Sequence, residues 1–271
     1  MTIRRLMTPS VLLPAVLALV LVLWTSHSYS LQSVGLVVAS LALAASSLWS
    51  CQALFGMRTA WIFLALAAPL GWFAEQMGSS QGWFFGSYTY TDVLGPRLAD
   101  VPLVIPLMWF GLCHVGFVMA SLVLWRQPAP AHAGWRTGAL TALMAAMIVT
   151  AFDLGADPYF VYVLKAWIMA EKDGGWFGET IRGFEGWMLV SFAIVALFQA
   201  LARPKLVAST AHPARFAALA PILVYAGFIV FQVTQTQPAA LRVIAFFAMG
   251  IPTLIALVAW SRWPSGQEAV A

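Results

Sequence analysis

Residues 101–125 read VPLVIPLMWFGLCHVGFVMASLVLW, and the reading of this stretch decides the fold. It holds no Lys, Arg, Asp or Glu. About 20 consecutive apolar residues are enough to cross the ~30 Å hydrocarbon layer of a bilayer as a helix. Similar runs lie on either side of it, at 7–26, 31–55, 60–78, 137–157, 184–202, 214–234 and 239–261. The expectation is an all-α polytopic membrane bundle of about eight transmembrane helices. Little chain is left over for a soluble part, so residues 1–271 read as a single transmembrane domain. Composition agrees. The chain is 62% hydrophobic and 9% charged, with a mean hydropathy of +0.86. Soluble domains carry roughly 25% charged residues. A soluble globular enzyme, a disordered chain and a nucleic-acid binder are thereby excluded. The first run follows Arg4 and Arg5, a pattern shared with signal peptides. Its length favours a retained helix.

The net charge of +4 reports topology rather than an acidic partner. With the N-terminus in the cytoplasm, the inner loops hold nine Lys or Arg and one acid, Glu268. The outer side then holds five Lys or Arg and nine acids. Basic residues concentrate on the cytoplasmic side of membrane proteins. Both termini are therefore expected in the cytoplasm, and an inner bacterial membrane is the expected location. The two longest loops, about 79–100 and 158–183, fall on the acidic side. Loops beyond about 12–15 residues are frequently functional, so chemistry is expected at the outer helix ends.

Four carboxylates stand in or beside the apolar runs: Glu75, Asp153, Asp157 and Glu185. Acids in such segments are costly and mark functional sites, although each could also sit at the water interface. Asp153 and Asp157 are four residues apart and so share a helix face. Pro158 disfavours helical geometry at the residue before it, which predicts that the helix ends at Asp157. Glu75 lies near the outer end of its helix, and Glu185 near the start of its own. Carboxyl groups in such different surroundings are suited to separate acid and base roles.

Aromatic residues crowd the same loops, from Trp72 to Tyr90 and from Tyr159 to Trp187. They fit either an interfacial belt or a pocket for a flat apolar ligand, in which ring faces can steady a cation. Glycines punctuate both loops, and Gly82-Trp83-Phe84-Phe85-Gly86 is echoed by Gly175-Trp176-Phe177-Gly178. The echo is too short to define a repeat. No phosphate-binding glycine loop, GxSxG elbow, CxxC or DDxxD pattern is present. His114 lies within an apolar run with no second His at ligand spacing, and Cys51 and Cys113 read as small buried hydrophobes. Neither a metal nor a cofactor is expected.

The stretch Phe85-Gly86-Ser87-Tyr88-Thr89-Tyr90-Thr91-Asp92-Val93-Leu94-Gly95-Pro96-Arg97-Leu98, followed by Val101-Pro102 and Pro106-Leu107-Met108-Trp109-Phe110, carries a resemblance. So do Glu75, the run from Asp153 to Pro158, Gly175-Trp176-Phe177-Gly178 and Phe184-Glu185-Gly186-Trp187. Together these resemble the membrane carotenoid-biosynthesis proteins, which include carotenoid 1′,2′-hydratases and bisanhydrobacterioruberin hydratase. Gly183 stands where that signature tends to carry Asn.

The resemblance implies addition of water across the terminal double bond of an acyclic carotenoid end group, giving a tertiary alcohol. The expected partners are a carotenoid in the bilayer, water, and other carotenoid-biosynthesis enzymes. An alkene offers no polar handle, so an acid must protonate it. A desolvated carboxyl group is a suitable donor, and a second carboxylate can orient and deprotonate the water. Asp153 or Asp157 is the expected acid, and Glu75 or Glu185 the expected base. Trp83, Phe85, Tyr88, Tyr90, Trp109, Trp176, Phe184 and Trp187 are the expected substrate-binding residues. A membrane carrier or binding protein for an apolar isoprenoid is the competing class.

Overall fold

The computed structural model describes residues 29–130, 134–171, 174–207 and 212–263. The first expected span, 7–26, lies outside them. The described residues contain seven long helices: α1 (Tyr29–Phe55), α2 (Met57–Gln81), α3 (Val104–Trp125), α4 (Trp135–Pro158), α5 (Ile181–Ala202), α6 (His212–Gln235) and α7 (Ala239–Ser261). All seven are long and apolar enough to cross a membrane. At 1.5 Å rise per residue, each reaches roughly 33–40 Å. The described chain is an all-α membrane bundle with seven spans rather than about eight.

The stretch that opened the reading forms α3, and it stands at the centre. It is buried along most of its length and touches every other helix. A helix with no charged residue can be surrounded on all sides by others. Close approach is set by glycines. A Cβ on Gly71 of α2 would lie 2.5 Å from the Trp109 ring, and one on Gly111 would lie 2.5 Å from Leu43. Small residues of this kind let membrane helices pack closely. Buried polar side chains add cross-links: Tyr225 donates to the Ile148 carbonyl at 2.6 Å and Gln232 to that of Phe152 at 2.7 Å. His114 is a core residue, 2.9 Å from the Ser50 hydroxyl and packed among Phe55, Phe63 and Phe110.

The two long loops meet at one end of the bundle. β1 (Tyr88–Tyr90) pairs antiparallel with β4 (Trp167–Met169), Tyr88 opposite Met169 and Tyr90 opposite Trp167. Between them lie a 3-10 turn (Asp92–Leu94) and a short hairpin of β2 (Arg97–Leu98) and β3 (Val101–Pro102). Side chains alternate along a strand, so β1 turns Tyr88 and Tyr90 inward and leaves Thr89 exposed.

The expected end of α4 at Asp157 is corrected. The helix includes Pro158 and continues as a π-helical turn (Tyr159–Val163), closed by Leu164 N–H donating to the Tyr159 carbonyl at 3.0 Å. Proline has no N–H to give the carbonyl four residues back, here that of Leu154. The indole N–H of Trp176 donates to that carbonyl instead, at 2.8 Å. Widened turns of this kind absorb the geometry a helix cannot keep at proline. Asp157 therefore stands one turn inside the helical segment, not at its end.

Candidate active site

Glu75, Asp153 and Asp157 converge on one narrow cavity of about 70 Å³ at the end of the bundle that carries the loops. Their side chains are buried, with 6%, 2% and 8% of the residue surface exposed. The cavity runs from Leu36 and Ser40 on α1 to Gly183 and Trp187 on α5. Among the described residues, none of the three carboxyl groups has a Lys or Arg at ion-pair distance. Their surroundings are neutral donors and apolar walls.

Glu75 is fully engaged. Its Oε2 accepts from the hydroxyls of Tyr88 and Tyr90, the latter at 2.7 Å, and its Oε1 accepts from the Trp109 indole at 2.9 Å. The three donors are delivered by two devices. Tyr88 and Tyr90 come from the inward face of β1, and Trp109 from α3 pressed on Gly71. Burial first, and the adjacent Glu75 charge second, hold both phenols well above their ordinary range, so both remain donors. Three donors on one carboxyl group offset part of the cost of burying its negative charge without a cation.

The aspartates are met differently. Among the described residues, the buried Oδ2 of Asp153 has no hydrogen-bond partner. Asp157 accepts from the Trp167 indole at 3.1 Å through Oδ1. The α-helical spacing of four that was read from the sequence does place both on the cavity face of α4. Aromatic rings close the rest: Trp187 stacks on Trp109 with centroids 4.5 Å apart, and Trp167 stacks on Phe160 at 5.3 Å.

Of the expected site residues, Glu75, Asp153, Asp157, Phe85, Tyr88, Tyr90, Trp109 and Trp187 line this cavity together. Glu185 does not. It is exposed in a shallow outward depression with Phe184, Met188 and Leu189. The reason is helical phase. Gly183 and Trp187 are four apart and face the cavity, whereas Glu185 is two residues on, about 200° around the helix from Gly183. Phe184 belongs to that outer depression as well. Trp83 is exposed, and Trp176 stands outside the cavity, edge-on to Phe184 and capping Leu154.

Sequence reasoning passed over Glu179, which is only 1% exposed beside Asp157 and Tyr162. No apolar run surrounds it in sequence. The signal available was its place directly after Gly175-Trp176-Phe177-Gly178. Trp167 and Gly183 also line the cavity, although neither was among the expected substrate-binding residues. Among the described residues, no three His, Cys, Asp or Glu groups converge at metal-ligand spacing.

The pattern of the family described as carotenoid biosynthesis protein matches residues 32–255. The chain belongs to this family. A relative named bisanhydrobacterioruberin hydratase, from Haloarcula japonica, is 30% identical over 125 residues. That match covers 46% of this chain and 39% of the relative. No solved structure matches the chain. This carotenoid-biosynthesis protein is thus an integral membrane protein. Its buried carboxyl cluster falls within the stretch that the family pattern covers.

Proposed function

We propose that this protein is a carotenoid hydratase of a bacterial inner membrane, adding water to the terminal double bond of an acyclic end group. The carrying observation is the contrast inside one cavity. Asp153 presents an oxygen with no partner, while Glu75 is held by three donors. The carotenoid-biosynthesis family and the hydratase relative support the substrate class.

The chemistry follows from those surroundings. Asp153 gives its proton to the less substituted alkene carbon, and the π electrons form the new C–H bond. The positive charge is left on the carbon that bears two methyl groups. Ring faces of Trp109 and Trp187 steady this tertiary cation, an effect worth about 2 kcal/mol or more in a desolvated site. Water attacks the cation through oxygen, and Glu75 takes the proton released. The product is a tertiary alcohol, and no electrons are exchanged with any partner. General acid and base groups each contribute about 10²–10⁴ in rate.

The test is a pigment extract from a host accumulating lycopene, analysed by liquid chromatography with mass detection. The expected result is a more polar pigment heavier by one water. Asp153→Asn should lower its formation by about 10² or more with the protein still folded in the membrane. Unchanged pigment from wild type, repeated with longer and monocyclic carotenoids, would overturn the hydratase reading. Retained carotenoid binding without conversion would then favour a carrier.

A further inference from the structure

Glu179 is a buried carboxyl group that the proposed chemistry does not use. It stands on a tight hairpin, with Gly174 N–H donating to the Gly178 carbonyl at 3.1 Å and Trp176 N–H to the Glu179 carbonyl at 3.1 Å. The hairpin is seated on α4 and its π-helical continuation by two contacts on either side of Asp157. Trp176 caps the Leu154 carbonyl, and Gly178 packs on Tyr162, where a Cβ would come within 2.3 Å of the hydroxyl. Gly178 also has φ +98, a conformation suited to glycine. These constraints press the Glu179 carboxyl against Asp157 and the Tyr162 hydroxyl. Its Oε1 is buried with no hydrogen-bond partner among the described residues.

Hydration consumes no net proton, yet each turnover leaves the site out of register. Asp153 has lost a proton and Glu75 has gained one. Both are buried, so a proton must be delivered to the aspartates and another removed. We infer that Glu179 is a relay residue, acting through Asp157, that reloads Asp153 with a proton from water at the loop end of the bundle after each turnover. Asp153 and Asp157 lie one helical turn apart, Glu179 meets Asp157 from outside, and Tyr162 is 43% exposed. In each cycle one proton moves from water by way of Tyr162 to Glu179, then to Asp157, then to Asp153, and Glu75 returns the proton it gained to water, so no net proton is consumed. No bond to carbon changes in this step. Burial raises the Glu179 carboxyl above its ordinary range, which suits a group that must hold a proton briefly. The titratable groups facing Asp157 are Glu179, Asp153, Glu75, Tyr88 and Tyr162. This inference rests on the hydratase reading.

The test uses the full chain in lipid nanodiscs with lycopene, comparing the first turnover with the steady state. For Glu179→Gln, the first turnover should stay within about threefold of wild type, while steady-state turnover falls at least about tenfold. Small weak acids such as acetate or imidazole should restore the steady-state rate of the variant and leave wild type unchanged. Glu179→Asp should retain most of the steady-state turnover. A merely structural residue would not respond to buffer. Equal rates for Glu179→Gln and wild type would overturn the relay. So would a first turnover lost as fully as the steady state, with no rescue, in protein of unchanged thermal unfolding. If wild type itself yields no hydrated product, the hydratase reading fails and the relay falls with it.

Discussion

Tyr88 and Tyr90 donate to Glu75 only while their hydroxyls keep their protons, and burial ensures that they do. Glu179 is shifted in the same sense, upward from an ordinary 4.5, by burial. A group whose value is raised on folding binds more protons in the folded state between its unfolded and folded values, so stability falls as pH rises across that window. For Glu179 the contribution is complete below about 4.5 and is lost as pH rises through the folded value. The melting temperature of Glu179→Gln should therefore gain on wild type as pH is raised from 4 toward 7, measured by thermal unfolding in nanodiscs. A constant difference across that range would count against the buried, ionisable Glu179 described here. The two tyrosines behave likewise at alkaline pH, with stability declining from about 10 upward. At the residue scale, Glu75, Asp153 and Asp157 were legible in sequence because an acid inside an apolar run marks a candidate site; Glu185 carried the same signal and is exposed. Glu179 was not legible, because a burial produced by a folded-back hairpin leaves no apolar signature around it.

At the scale of elements, the glycines divide into two kinds. Gly71 and Gly186 are packing glycines: a Cβ would meet Trp109 at 2.5 Å and Phe85 at 2.7 Å. Gly183 is buried and lines the cavity, yet a Cβ there would meet nothing within 4 Å. Neither its backbone nor its neighbours require a glycine, so the space it leaves belongs to the cavity. Gly71→Ala should displace the Trp109 ring, costing about 1–3 kcal/mol of stability by overpacking, along with activity. Gly183→Ala should fold as wild type does, and Gly183→Leu should also fold but lose substrate turnover by filling the cavity. Thermal unfolding and pigment conversion on the same preparations separate the two cases. Wild-type conversion by Gly183→Leu would show that this space is not used. The end of α4 carries a related lesson. Pro158 was read as a stop signal, but Trp176, 22 residues beyond Leu154, replaces the donor that proline lacks. A local rule for helix ends has no knowledge of a partner from another loop.

For the whole molecule, the charge pattern and the pairing of β1 with β4 place both long loops at one end. Thr89→Cys should label with a membrane-impermeant thiol reagent in intact cells, whereas Trp135→Cys should label only after permeabilisation. The native Cys51 and Cys113 are buried and should stay silent. Labelling in the reverse order would invert the orientation. The amino-acid sequence by itself determined the helical membrane class, seven of the spans, the clustering of acids in and beside the long loops, and three of the carboxyl groups of the cavity. Each of these depends on composition over about 20 residues or on a spacing within one helix, and the cost of polar groups in a bilayer acts directly on both. Tertiary structure alone decided which acids meet. It joined Glu75 to Tyr88, Tyr90 and Trp109, brought Glu179 against Asp157, and turned Glu185 outward. Helix phase and loop pairing set those contacts, and they arise only when separate helices are packed side by side.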